Sequence, residues 1–182
     1  MPWRAGLLAL ILLGSPALAD SIRTEAAGLR FRVPKEWTRV PATSEMRAAQ
    51  YRIPSAPGDS EDGELVLFFF GKGRGGSVED NLERWYGQFE QPDHRPSREA
   101  ALVTTQTVNA LRVTVADLTG AYTPGMSAGG RAKERRPGFR MLAAIVEAPD
   151  GPWFFKAVGP AATIGQAKRS FDDLVASLEL HR

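Results

Sequence analysis

Apolar residues recur along this chain with two different periods, and the places where the period changes mark its elements. Leu29-Arg30-Phe31-Arg32-Val33 alternates apolar with basic, the pattern of a half-buried strand, and Pro34 stops it. Arg47 to Ile53 repeats the alternation more weakly and is closed by Pro54. Leu65 to Phe70 is apolar at every position, which predicts a central strand buried on both faces. The period then lengthens. After the glycine-rich turn Gly71 to Gly76, Ser77 offers an N-cap with Asp80 three residues on. Val78, Leu82, Trp85 and Phe89 fall on one side of the helix that follows, with Glu79, Asp80, Glu83 and Arg84 on the other.

The Thr- and Val-rich runs Ala101 to Val108 and Leu111 to Tyr122 flank Asn109-Ala110, so they predict an antiparallel hairpin. A second hairpin is expected from Phe139 to Ala148 and Trp153 to Val158 around Pro149-Asp150-Gly151. Thr123 to Gly138, between the hairpins, reads as a long polar loop. A final helix is predicted with Thr163 as its N-cap and Gln166 completing a capping box. Its apolar stripe is Ile164, Ala167, Phe171, Leu174, Val175 and Leu178. The order βββ-α-ββββ-α, with long hairpins and isolated helices, predicts an α+β fold: an antiparallel sheet sandwiched by helices.

The first 19 residues follow neither period. Arg4, the apolar run Gly6 to Leu13 and the small residues of Ala17-Leu18-Ala19 have the layout of a secretory leader cut after Ala19. Residues 20–182 are then expected to form a single α+β domain, periplasmic or secreted. The apolar run is shorter than the roughly 20 residues that cross a bilayer, so no membrane segment is expected after cleavage.

Composition narrows the chemistry. The chain has no cysteine, which removes lipid anchoring, disulfides, thiol nucleophiles and thiolate metal sites. Stability must come from apolar burial, for which 43% hydrophobic content with nine Phe and four Trp is sufficient. His94 and His181 are the only imidazoles. Neither a metal nor a cofactor is expected. The 23 basic and 21 acidic residues are nearly balanced, and a nucleic-acid partner is not expected.

Three phrases carry a resemblance. Val33-Pro34-Lys35-Glu36-Trp37, the run Gly151-Pro152-Trp153-Phe154-Phe155-Lys156-Ala157-Val158-Gly159-Pro160, and the closing helix Phe171 to Leu178 resemble the PsbP-like superfamily, which also includes the Ran-binding Mog proteins. The resemblance spans most of residues 29–180. It implies an α/β/α sandwich and a small non-enzymatic domain that docks on a protein or ligand. These are packing signatures, so no partner and no binding residue is carried over.

Several local patterns bear on chemistry. Gly125-Met126-Ser127-Ala128-Gly129 has the letters of a nucleophile elbow, but a charged run follows it where an apolar helix is needed. A serine hydrolase through Ser127 is therefore the remote reading. Lys72, Arg74 and Ser77, around the glycine-rich turn, are candidate anion ligands, because a helix start presents free N–H groups. That turn lacks the Gly-Lys-Ser/Thr ending of a nucleotide loop. Asp59, Glu61, Asp62 and Glu64 cluster without the spacing of a calcium loop and read as a solvated turn. Arg131, Lys133, Arg135 and Arg136, with Arg140 beyond, form a basic run suited to docking on a protein or an envelope surface. Lys156 interrupts an apolar strand, and Asp117 or Glu147 is its expected partner. The expected function is noncovalent binding of a protein or envelope component. A small-ligand or anion carrier is the alternative.

Overall fold

The computed structural model describes residues 21–125 and 134–181. The leader, Ser127, Arg131 and Lys133 lie outside the described residues. In chain order the elements are β1 (Ser21–Ala26), β2 (Leu29–Pro34), β3 (Thr38–Arg39), β4 (Arg47–Ile53), β5 (Gly63–Phe69), α1 (Val78–Tyr86) and β6 (Phe89–Glu90). There follow α2 (Ser97–Ala100), β7 (Leu102–Val108), β8 (Leu111–Tyr122), β9 (Arg136–Glu147), β10 (Trp153–Pro160), α3 (Ala161–Ala176) and β11 (Glu179–Leu180). The main strands and the two long helices fall where the periodicity predicts, but α1 ends at Tyr86 and leaves Phe89 in β6, α3 ends at Ala176 before Leu178, and β9 begins at Arg136, inside the expected loop. The additions are short, except β1, whose Ser-Ile-Arg-Thr-Glu-Ala has no apolar alternation to announce it.

Eight strands make one antiparallel sheet in the order β3-β4-β5-β10-β9-β8-β6, with β7 also paired to β8. A three-stranded sheet, β1-β2-β11, packs over one of its faces. The α+β, helix-and-sheet sandwich is the predicted class. β5 sits between β4 and β10 with Leu65, Val66 and Leu67 buried, whereas Phe68, Phe69 and Phe70, expected to be buried as well, are half-buried.

α3 and the small sheet close one face. Phe31 of β2 meets Phe155 of β10 edge-on at 5.2 Å, and Phe171 and Leu174 of α3 are buried in the same cluster. The other face carries α1. Trp85 packs edge-on against Phe154 at 6.5 Å, beside Leu118, Phe139 and Met141.

The helix starts differ from one another. Ser77 caps α1 in a full capping box with Asp80, as predicted. Thr163 does not cap α3. The helix begins earlier, at Ala161, and Thr163 is a buried residue of its first turn. There its amide and hydroxyl both donate to Asp59 Oδ2, at 2.9 and 2.6 Å, and its hydroxyl accepts from the Ala56 amide. A carboxylate 104 residues away thus serves as the cap. The glycine-rich turn is explained by positive φ at Gly71 and Gly73 and by packing at Gly75. A Cβ at Gly75 would sit 2.8 Å from the Phe154 ring, and one at Gly151 would sit 2.5 Å from the backbone of Gly71. The two turns therefore close on each other where only glycine fits.

Candidate functional site

α1 is nine residues long and covers only part of its face. Beside it the sheet opens into a cleft of about 410 Å³, bounded by β4 and β5 on one side and by β8 and β9 on the other. Val66, Phe68, Phe139 and Val158 supply an apolar floor, and Lys156 of β10 stands among them.

Lys156 pairs across the sheet with Val66 and Ala143, which fixes it on the α1 side. Asp117 pairs with Leu142 and belongs to the α3 side, so the expected Lys156–Asp117 contact does not form. Asp117 instead accepts from Arg140 Nε and Nη2, at 2.8 and 2.6 Å, and Glu147 pairs with Arg112. The Lys156 ammonium donates to the Gln88 amide oxygen. It also lies 5.5 Å from the centre of the Tyr122 ring and 5.9 Å from that of Trp85. Burial pulls its pKa down from the ordinary lysine value to about 7, against the upward pull of Glu64. Burial, with Glu64 nearby, pushes the Tyr122 phenol up.

Two irregularities in the sheet bring arginines into the cleft that holds this lysine. Tyr51 and Ala49 point to the α3 side, and strict alternation would send Arg47 after them. The register slips between Arg47 and Ala49, so Arg47 stands opposite Phe68 and joins the cleft. Across the cleft, Gly120 faces Phe139, yet Tyr122 faces Arg136 rather than Pro137. The extra residue falls at Pro137-Gly138, with Gly138 at φ +69°, and Arg136 turns onto the cleft side. Bulges re-aim side chains in this way. Arg47 is held by Glu64 at 3.1 Å and Arg136 by Glu61 at 2.9 Å, while the Arg136 guanidinium lies 5.5 Å from the Phe139 ring.

The residues singled out in the sequence are scattered by comparison. Ser77 Oγ accepts the Asp80 amide and the Asp80 carboxylate accepts the Ser77 amide, so the start of α1 carries its own anion. A cleft of about 230 Å³ borders Ser77, but Lys72 and Arg74 do not line it. The acidic cluster is divided among partners: Asp59 caps α3, Glu61 holds Arg136, Asp62 accepts the Ser55 amide, and Glu64 holds Arg47. Among the described residues of the basic run, Arg135 pairs with Glu90, and only Arg136 enters the cleft. His181 binds Glu25 at 2.7 Å. Sequence reasoning missed Arg47, Tyr122 and Gln88. Pro137-Gly138 was the one available sign of a bulge.

No protein-family model and no curated protein sequence matches the chain. Solved structures do. The solution structure of cyanobacterial PsbP (CyanoP) from Synechocystis sp. PCC 6803 aligns over 92% of this chain and 96% of its own, at 12% identity and a TM-score of 0.53. A protein of unknown function from Pseudomonas aeruginosa aligns over 90% of this chain and 99% of its own, at 8% identity and a TM-score of 0.50. At such identities the likeness is one of fold, and the fold is PsbP-like. Among the described residues no helix is long and apolar enough to cross a membrane.

Proposed function

We propose that the protein is an exported, non-catalytic binding domain of the periplasm or the extracellular space, and that the Lys156 cleft is its contact site. Its ligand presents an anionic group on an apolar body, either free or as part of a protein partner. The observation that carries this reading is the pair of bulges that bring Arg47 and Arg136, from opposite sides, into the cleft that holds Lys156. An apolar floor with a few convergent cations suits recognition of such a group. The cleft carboxylates Glu64 and Asp62 are tied to Arg47 and Arg52, an arrangement for orienting a ligand rather than for moving its protons.

Titration of the ¹⁵N-labelled protein with phenylacetate and with neutral phenylacetamide tests this. The acid is expected to shift the amides of Val66, Tyr122, Arg136 and Lys156, and an Arg47→Glu, Arg136→Glu double variant is expected to lose the response. An equal response to the amide, or none to the acid, overturns the reading.

A further inference from the structure

The edges of the two sheets are finished unequally. β3, β6 and β11 are two residues long. β1 carries Arg23 and Glu25, each held in an ion pair. β7 has none of these protections. It runs for seven residues, Leu-Val-Thr-Thr-Gln-Thr-Val, without a charge, a proline or a glycine, and six of the seven are exposed. Leu102 is 72% and Val103 42% exposed, and among the described residues β7 pairs only with β8. A long uncharged edge is a row of open backbone donors and acceptors, which natural sheets normally blunt.

We infer that β7 is a self-pairing edge, through which a second copy of this chain joins antiparallel with Thr105 on the twofold axis. The occupant is read from the order of side chains. Antiparallel pairing about Thr105 sets Leu102 against Val108 and Thr104 against Gln106 on the α3 side. On the α1 side it sets Val103 against Thr107 and Thr105 against itself. The outer pair is apolar, the pairs nearest the axis are polar, and no like charges meet. Sliding the axis to Thr104 would set Leu102 against Gln106, and sliding it to Gln106 would set Leu102 against Ala110, in the turn beyond the strand. A twofold, isologous contact of this kind closes on itself and does not propagate.

Because the chain has no cysteine, introduced thiols report the pairing directly. The Thr105→Cys variant is expected to form a disulfide dimer on mild oxidation. Leu102→Cys and Val108→Cys are expected to cross-link when mixed and not when oxidised separately. In sedimentation velocity from micromolar to millimolar concentration, the unmodified protein is expected to move from monomer to dimer. Thr105→Lys and, as a milder second variant, Gln106→Lys are expected to stay monomeric with unchanged circular dichroism. A protein monomeric throughout, a dimer indifferent to both lysine variants, or Leu102→Cys cross-linking to itself would overturn the inference. So would cross-linking only to a different protein in envelope extract.

Discussion

The two faces of the large sheet are built by the same strands and finished in opposite ways. On one, the 16-residue α3 and the three-stranded sheet leave Leu29, Phe155, Ile164 and Phe171 with no exposed surface. On the other, the nine-residue α1 stops short and leaves a cleft with a half-buried lysine. Strand alternation gives each residue to one face or the other. At Arg47 and Arg136 that alternation is broken, and both breaks favour the open face. The closed face holds the fold together, and the open one is free to carry polar groups the fold does not need.

The largest test of that contrast is Phe171→Ala, which should cost about 3–5 kcal/mol in urea denaturation through the cavity it leaves. Arg136→Ala, which breaks an exposed ion pair on the open face, should cost under about 1 kcal/mol. Equal losses would erase the distinction between the faces.

Lys156→Met comes next, and its sign follows from the lowered pKa. Between about 7 and the ordinary lysine value, the unfolded chain holds a proton that the folded chain has released. Stability therefore rises with pH across that window, by at most about 1.4 kcal/mol per pH unit, and is flat below it. The methionine variant should be more stable than the parent at and below pH 7, and that advantage should fade toward pH 10. Anion binding should weaken as pH climbs through 7, because the ammonium is lost. A parallel pH profile for the two proteins would place the lysine in water.

Asp59→Ala should cost about 1–2 kcal/mol by removing the cap of α3, although the residue lies in a connector far from the helix in sequence. The smallest effect belongs to a turn outside both faces. Asn109 and Ala110 both hold positive φ, at 47° and 66°, and Ala110→Gly should add about 0.5–1 kcal/mol of thermal stability by relieving the strain.

Much of the framework was legible, because burial writes its period into the strands and into the stripe of α3. The capping box of α1 was legible because both of its halves lie within four residues. What was not legible depends on broken periodicity or on distance. Ala48-Ala49 gives no warning that Arg47 changes sides. Thr163 and Gln166 have the spacing of a cap, yet the helix starts upstream of them and a remote carboxylate takes the role. Lys156 could be recognised as odd, but its face had to be known before Gln88 replaced Asp117 as its partner.

The connector between β4 and β5 grips two places at once: Asp59 fastens the first turn of α3, and Glu61 fastens Arg136 at the lip of the cleft. Two peptide units separate these grips, so the connector works as a strap slung over the end of the β4–β5 pair. A guest that draws Arg136 away from Glu61 slackens the strap, and amide exchange at Thr163 should quicken on the far side of the molecule.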